Sequence, residues 1–312
     1  MIQIAAGQAI GPYVVQAFLG RGAFAEVFLA TDSEGRRFAL KIGDKSGGGR
    51  YLKRFDEVTE ERDPGRVSPD EAPAEALFLD PHDGARAELL DTREVDELLL
   101  GEMELLRAAD RAGVVGLHDV VEEKGRPVLV LDFVPGCTMR ERIRAGRGVK
   151  LVWVVEAART IENLVDAGIW RCHGDVKPEN LMITEGEKVV VIDPASSTER
   201  ADEIIATPAY NPFLRRDSKG DAQSFAILLY EILCGALPFD ETPWPLAGTD
   251  PSLFSVDERR LHRSFYLGYP RPRELNPRTP TEIERVIYRA LCDENYRLAD
   301  LRQDLEDFLL RV

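Results

Sequence analysis

One short stretch of the chain carries residue types suited to handling a phosphate group. The segment His173–Asn180 contains an aspartate, a lysine and an asparagine, and Asp193 follows thirteen residues after Asn180. Asp175 can accept a proton from a hydroxyl group, and Lys177 can neutralise a phosphoryl group in transfer. Asn180 and Asp193 can hold Mg²⁺ through oxygen ligands. A polar loop with a turn proline would explain Lys177-Pro178 but not the whole set, which favours phosphoryl transfer.

Two features nearer the start of the sequence suit a bound phosphate chain. Gly20 and Gly22 lie in a segment between two β-prone runs, where glycines let backbone N–H groups approach phosphate oxygens. Lys41 ends the apolar run Phe38-Ala39-Leu40, and a lysine on a buried strand needs a counter-ion or a phosphate. Glu102 is its natural partner. Taken singly, the glycines also fit a plain tight turn, and the two charges also fit solvated surface positions.

The elements that must position these residues form two groups. Short β-prone runs broken by turn residues, with one amphipathic helix among them, predict a small five-stranded antiparallel sheet in the first part of the chain. The predicted strands are Tyr13–Leu19, Ala25–Thr31, Arg37–Ile42, Val114–Val121 and Pro127–Val134, and the helix carries Val95, Leu98, Leu99, Met103, Leu105 and Leu106. From Leu151 onward the periodicity is mainly helical, over Val152–Val165, Ser224–Cys234, Thr281–Leu291 and Leu298–Leu310. One hairpin, with strands Asn180–Thr184 and Val189–Asp193, interrupts the helices and places Asp193 at a strand end.

Residues 43–100 differ in composition from the sequence around them. This span holds 16 acidic against 8 basic residues, so it carries more than half of the chain's net charge of −15. It also contains three consecutive glycines and scattered prolines. We interpret it as an acidic insertion between the lysine strand and the amphipathic helix, able to dock a regulatory partner or to control whether Glu102 reaches Lys41.

Composition argues against several other classes of protein. Cys137, Cys172, Cys234 and Cys292 lie far apart, without metal-ligand spacing, so neither a zinc site nor a disulfide framework is expected. The negative charge argues against nucleic-acid binding. The sequence has neither a long apolar run nor a basic, apolar leader, so we expect no membrane association and a cytoplasmic protein.

The order of these motifs resembles that of the eukaryotic-like, bacterial-type Ser/Thr protein kinases, over essentially the whole chain apart from the insertion. Gly20–Val27 resembles the glycine-rich loop, Lys41 the lysine of the third strand, and Glu102 the glutamate of the αC helix. His173–Asn180 resembles the catalytic loop, and Asp193 the metal-binding aspartate. Further likenesses are Leu131-Asp132-Phe133-Val134 to the gatekeeper and hinge, Ala206–Tyr210 to the Ser/Thr-kinase activation segment, and Asp221 with Tyr230–Phe239 to the long helix beneath the active site.

The resemblance implies an α+β, bilobal protein-kinase fold that uses ATP and Mg²⁺. Residues 1–135 would form the ATP-binding lobe, and residues 136–312 a mainly helical catalytic and substrate-binding lobe. The implied catalytic residues are Asp175, Lys177, Asn180 and Thr207, and the implied metal ligands are Asn180 and Asp193. The implied ATP-binding residues are Gly20, Gly22, Val27, Ala39, Lys41, Glu102, Leu131, Asp132, Val134 and Met182. The substrate would be a protein, phosphorylated on Ser or Thr.

Three departures from the family pattern qualify these expectations. Gly174 stands where many members have arginine, so no cation beside Asp175 awaits an activation-segment phosphate. We therefore expect activity independent of phosphorylation. Asp193-Pro194-Ala195 replaces Asp-Phe-Gly, which makes regulation by flipping of that segment doubtful. The Ala-Pro-Glu ending is missing, because Asn211-Pro212-Phe213 follows Tyr210.

Two alternatives remain open from the sequence. His173-Gly174-Asp175 and Asp193-Pro194 are also common in small-molecule kinases of the aminoglycoside-phosphotransferase type. The departures also fit a nucleotide-binding pseudokinase that acts as a regulatory scaffold. Lys177–Asn180 and Thr207 favour the protein kinase over the first alternative. The retained charged groups favour it over the second.

Overall fold

A computed structural model describes most of the chain as two compact units. It describes residues 4–22, 24–43, 50–54, 85–89, 91–111, 113–194, 203–204, 207, 209–211, 215–238 and 270–311, with the backbone alone for 50–54, 85–89 and 203–204. The first unit comprises residues 1–51, 89–173 and 178–199, and the second comprises residues 52–88, 174–177 and 200–312. The predicted lobes at 1–135 and 136–312 stay a prediction. Residues 44–49 and 55–84 of the predicted insertion, as well as Ala195, Ser196, Ser197 and Thr198, lie outside the described residues.

An antiparallel sheet dominates the first unit. Its strands are β1 (Ala9–Ile10), β2 (Tyr13–Arg21), β3 (Ala25–Thr31), β4 (Arg37–Gly43), β7 (Leu117–Glu123) and β8 (Arg126–Asp132), in the order β1-β2-β3-β4-β8-β7. The sequence predicted five strands, which is corrected to six. The additional strand, β1, is a two-residue edge pairing and is too short to produce an alternating pattern.

The two faces of this sheet have different roles. One face carries an apolar core that includes Phe28, Phe38, Leu40 and Val130. Side chains in a strand alternate between faces, so Ala39 and Lys41 lie on the opposite face. Val27 pairs with Lys41 across the ladder and lies on this second face too. The second face is therefore the one that presents the candidate nucleotide-binding residues.

Helix α1 (Thr92–Ala109) packs against β4 and β8. It begins at a capping box, in which the Asp91 side chain accepts from the Glu94 N–H and the Glu94 side chain accepts from the Asp91 N–H. Val95, Leu98, Leu99 and Leu106 are buried at helical spacing. Glu102 lies on this same buried stripe, so the sequence that makes the helix amphipathic also turns a carboxylate towards the sheet.

A smaller sheet and two helices complete the first unit. Strands β9 (Gly136–Thr138), β10 (Leu181–Thr184) and β11 (Val189–Val191) form it in the order β11-β10-β9, with helices α2 (Met139–Arg144) and α3 (Leu151–Asp166) beside them in the chain. The predicted hairpin corresponds to β10 and β11. Asp193 lies two residues beyond β11.

Helices make up most of what is described of the second unit. They are α4 (Ser218–Cys234), α5 (Pro272–Leu275), α6 (Thr281–Cys292) and α7 (Leu298–Leu309). The two-residue strand β12 (Glu203–Ile204) pairs antiparallel with β5 (Arg50–Arg54), which also neighbours β6 (Ala85–Leu89). None of the described helices combines the length and the apolar composition that crossing a membrane requires.

Candidate active site

Lys41 is at the centre of an ion network in the first unit. Its Nζ donates to Glu102 Oε2 at 2.6 Å and to Asp193 Oδ1 at 2.7 Å. Three elements converge to produce this arrangement, because Lys41 belongs to β4, Glu102 to α1, and Asp193 to the turn after β11. Lys41 is only 4% exposed and Glu102 is fully buried. A buried ammonium and two acids from distant parts of the sequence are thus already assembled.

Burial and charge perturb the acid–base behaviour of this network. Desolvation by burial is the largest cause that raises the pKa of Glu102, to about 7. The Lys41 charge opposes it, and the smaller effect of the Asp193 charge adds to the rise. Desolvation lowers the pKa of Lys41, but Asp193 and Glu102 more than offset it, so its pKa lies above the ordinary value. Glu102 Oε1 is buried without a hydrogen-bond partner among the described residues. Among the described residues, Lys41 Nζ is thus a cation that contacts both Glu102 and Asp193.

The turn between β2 and β3 lies against the ion network. The Phe24 ring is buried, and its centroid lies 4.9 Å from Lys41 Nζ. The Gly22 N–H donates to the Ala25 carbonyl at 2.8 Å. A Cβ on Gly22 would lie 3.8 Å from Asp193 Oδ2, whereas one on Gly20 would meet nothing within 4 Å. The glycine-rich turn thus brings its backbone close to the acids that Lys41 joins.

Asn180 and Asp193 are linked by the hairpin that carries them. The Ile192 N–H donates to the Asn180 carbonyl at 2.9 Å, so the two oxygen-bearing side chains belong to neighbouring backbone segments. Asp193 has a φ of +60°, a left-handed conformation that costs a non-glycine residue roughly 1 kcal/mol. This backbone geometry brings its carboxylate to Lys41.

The oxygen-bearing side chains of Asn180 and Asp193 suit Mg²⁺ better than a metal that requires all its ligands from the protein. Among the described residues, no group of three or more His, Cys, Asp or Glu side chains is placed to hold a metal ion. Mg²⁺ usually takes one or two carboxylates and completes its shell with water and substrate phosphates. The side chains of Asp193 and Asn180 carry hard oxygen donors of this kind.

The other predicted ATP-binding residues also lie in the first unit. Leu131 pairs with Ala39 across β4 and β8, and therefore shares the Lys41 face of the sheet. Asp132 ends β8, and its carboxylate accepts from Arg111 Nε at 2.7 Å. The Asp132 side chain is thus paired with Arg111. Val134 and Met182 are half-buried.

A second group of predicted catalytic residues forms within the second unit. Lys177 Nζ donates to Asp175 Oδ2 at 2.6 Å and to Thr207 Oγ1 at 2.8 Å. The Thr207 N–H donates to Asp175 Oδ1 at 2.8 Å. Asp175 is 5% exposed. The structure therefore brings together the predicted base, the predicted phosphoryl-binding lysine and the activation-segment threonine, with both oxygens of the base held.

Several residues that contact the Lys41 network or the Asp175 loop were not predicted from the sequence. Phe24 covers Lys41, and Arg126 ties helix α1 to the sheet. Asn211 contacts the loop that carries Asp175. A phenylalanine within a glycine turn was the one available signal, since bulky apolar residues are unusual in tight turns. Asn211 and Arg126 have partners 30 or more residues away in sequence, which no local pattern marks.

The protein kinase domain family matches residues 87–246, which is just over half of the chain. The chain belongs to the protein kinase family. This confirms the family predicted from the ordered motifs.

The protein-kinase chain is similar to a plant protein kinase and to bacterial serine/threonine-protein kinases. It is 27% identical to CBL-interacting protein kinase 16 of Oryza sativa subsp. japonica, over 74% of this chain and 45% of that protein. It is 31% identical to serine/threonine-protein kinase pkn2 of Myxococcus xanthus, over 45% of this chain and 19% of that protein. For serine/threonine-protein kinase PrkC of Bacillus subtilis, the identity is 23% over 66% of this chain and 32% of that protein. The chain thus spans less than half the length of these relatives.

A solved structure confirms the fold class of the protein-kinase chain. The apo form of PpkA-294 superposes with a TM-score of 0.63 at 18% identity, covering 97% of this chain and 99% of that one. At this identity the likeness shows the fold alone. Together with the family match, it confirms the α+β protein-kinase fold.

Proposed function

We propose that this chain transfers the γ-phosphoryl group of ATP, with Mg²⁺, to Ser and Thr hydroxyls of a protein. The observation that carries the proposal is the bonding of Lys41 Nζ to both Glu102 and Asp193. A chain that only bound a partner would gain little from a buried cation shared by two acids, because such a network is costly to desolvate. The Ser/Thr kinases among its relatives support a protein acceptor.

Lys41, Glu102 and Asp193 would bind and position the phosphates of the nucleotide and the metal ion. The Lys41 ammonium would hold the α- and β-phosphates, and Glu102 would fix its position. Asn180 and Asp193 would hold Mg²⁺, which when bound neutralises charge on the phosphate oxygens. Backbone N–H groups of the turn at Gly20 and Gly22 would face the phosphates.

Ala39 and Leu131 share the Lys41 face, which supports a nucleotide lying along this side of the sheet. Val27 would pack on the adenine ring from that face, and Met182 would pack on it from β10. The backbone of Asp132 and Val134 would supply hydrogen bonds to the base.

Asp175 and Lys177 would handle the acceptor. Asp175 would orient the hydroxyl and take its proton as the hydroxyl oxygen bonds to the γ-phosphorus and the bond from that phosphorus to the bridging oxygen breaks. Lys177 would steady the charge on the transferred group. Lys177 Nζ donates to Asp175 Oδ2 at 2.6 Å, so it would also hold this carboxylate in one orientation towards the acceptor.

We further propose that the kinase is of the type lacking the arginine before the catalytic aspartate. Gly174 supplies no side chain to pair with a phosphate, and its φ of +78° is one that arginine would adopt only with strain. The Thr207 hydroxyl accepts from Lys177, a contact that needs no phosphate. Activity would then be present without prior phosphorylation of the activation segment.

The experiment is γ-phosphate transfer from Mg²⁺-ATP, with a Ser/Thr-rich protein and an aminoglycoside offered separately. Asp175→Asn should lower protein labelling by about a hundredfold or more while nucleotide binding persists. Asp307→Asn, in the last helix, is the control for a general change of charge and should label normally. Transfer to the aminoglycoside alone would favour the small-molecule kinase. Nucleotide binding without transfer to either acceptor would favour the pseudokinase.

A further inference from the structure

Asn211 is a buried asparagine whose side-chain amide is bonded at both ends. It is 1% exposed. Its Nδ2 donates to the Gly174 carbonyl at 3.0 Å and to the Arg215 carbonyl at 2.8 Å, and its Oδ1 accepts from the Arg215 N–H at 2.9 Å. A buried amide bonded in this way is held in one orientation, because any rotation would leave a polar group unpaired.

The Gly174 backbone is held from both of its sides. Its N–H donates to Asp221 Oδ1 at 2.8 Å, and its carbonyl accepts from Asn211. Gly174 has a φ of +78°, a conformation that a glycine leaves easily unless its neighbours hold it. The Gly174 carbonyl and the Asp175 N–H belong to one planar peptide group. Asn211 therefore fixes the plane from which the Asp175 side chain extends.

The same turn that carries Asn211 also holds the Asp175 carboxylate. The Thr207 N–H donates to Asp175 Oδ1 at 2.8 Å. The N–H groups of Tyr210 and Asn211 both donate to the Thr207 carbonyl, at 2.8 Å and 2.9 Å, which closes the chain from Thr207 to Asn211 into one compact turn. Asp175 is thus held at its carboxylate by one end of the turn and at its backbone by the other.

We propose that Asn211 is a positioning residue that holds Asp175 in its working orientation without a phosphate. It joins the activation segment to the loop of the base through hydrogen bonds that involve no phosphate, beside Gly174, where many family members have arginine. The inference rests on the proposed function, since it concerns the base of that reaction. Neighbouring Tyr210 is anchored separately by its hydroxyl on Glu231, so loss of the Asn211 contact leaves the segment attached.

Asn211→Asp tests the proposal with almost no change of shape. The variant keeps the Oδ1 acceptor for the Arg215 N–H but replaces the donating amide with an oxygen that faces the Gly174 and Arg215 carbonyls. We expect kcat to fall about tenfold or more, with the KM for ATP changed less than about twofold. Hydrogen–deuterium exchange in a peptide spanning residues 173–177 should become faster.

Asn276→Asp is the matched control. Asn276 Nδ2 donates to the Leu233 carbonyl at 2.9 Å, and its Oδ1 accepts from the Arg278 N–H at 3.2 Å, so the variant loses the same kind of bond without touching Gly174. We expect kcat and exchange in the 173–177 peptide to stay at the wild-type values. The proposal is overturned if Asn211→Asp leaves both readouts unchanged, or if the two variants lower kcat equally.

The exchange measurement separates this proposal from the proposed function. If the wild-type chain phosphorylates no protein, the proposed function fails, and the exchange rates alone decide. Faster exchange in Asn211→Asp but not in Asn276→Asp would still support the positioning contact. Equal exchange in both variants would overturn it.

Discussion

Arg126 of β8 binds Asp96 of helix α1 with both arms of its guanidinium. Nη2 lies 2.7 Å and Nε 2.9 Å from Asp96 Oδ1, and Nη1 donates to the Gly43 carbonyl at 3.0 Å. The Arg126 side chain is 8% exposed, so this pair is shielded from water. One arginine thus fastens the start of the helix that carries Glu102 to the end of the strand that carries Lys41.

Arg126→Met should remove the contacts that link helix α1 to the end of strand β4. We expect the free energy of unfolding to fall by about 2–4 kcal/mol, because the variant leaves Asp96 without its charged partner in a partly buried position. The KM for ATP should rise, since Glu102 is then less firmly held beside Lys41. Chemical denaturation and ATP kinetics measure the two effects.

Arg93→Gln is the matched control for Arg126→Met. Arg93 makes an i,i+4 pair with Glu97 on the same helix, but its side chain is 86% exposed. It should change the free energy of unfolding by less than about 0.5 kcal/mol. Equal losses for the two variants would contradict a special role for the Arg126 pair.

Gly43→Ala tests how closely Arg126 and Val95 pack against the Gly43 backbone. A Cβ there would lie 2.6 Å from Arg126 Nη2 and 2.7 Å from Val95 Cγ1, so the arginine or the helix must shift. We expect a loss of about 1–3 kcal/mol in thermal or chemical denaturation. Gly148→Ala, whose added Cβ meets nothing within 4 Å, should change the stability little or raise it slightly. If Gly43→Ala leaves the free energy of unfolding unchanged, Arg126 and helix α1 can shift to make room for the added Cβ without loss of stability.

Local sequence signals predicted much of the fold. The turn residues Lys124 and Gly125 both have positive φ, as a two-residue hairpin between β7 and β8 requires, and glycine marks such a turn in the sequence. The stripe of Val95, Leu98 and Leu99 predicted helix α1 because burial follows the helical period. These features depend on neighbours within one element, so they can be read without the tertiary structure.

Contacts between distant segments could not be predicted in this way. Asn211 resembles an ordinary turn residue, and only the fold shows that its amide meets Gly174, 37 positions earlier. Asp96 resembles a solvated helix charge until β8 brings Arg126 beside it. For the ion network, the sequence suggested Glu102 as the partner of Lys41, but the further bond from Lys41 to Asp193 follows from the left-handed backbone at Asp193.

The pKa of Glu102 makes a prediction about stability and pH. Burial and Asp193 raise this pKa from 4.5 to about 7, so between these values the folded chain binds a proton that the unfolded chain releases. The contribution of Glu102 to the stability of the wild-type protein should therefore fall as pH rises from about 4.5 to about 7. Glu102→Gln removes this titration, and its stability relative to wild type should rise by about 2 kcal/mol over the same range.

Denaturation at several pH values checks this difference. Glu104→Gln, an exposed glutamate on the same helix with 69% of its side chain accessible, is the control and should give a curve parallel to wild type. Parallel curves for Glu102→Gln and wild type would show that Glu102 is ionised throughout this range in the folded chain.

Thr207 provides the test of phosphate independence. Thr207→Ser keeps the hydroxyl that accepts from Lys177, and should retain activity within about twofold. Thr207→Val keeps only the backbone N–H bond to Asp175 and should lower kcat by about tenfold. Alanine at Ser196, Ser197 and Thr198 together, and treatment with a phosphatase, should leave the rate of transfer unchanged. Loss of activity on phosphatase treatment, restored when the chain rephosphorylates itself, would show that a phosphate does control the activation segment and that the Lys177 contact with Thr207 is insufficient.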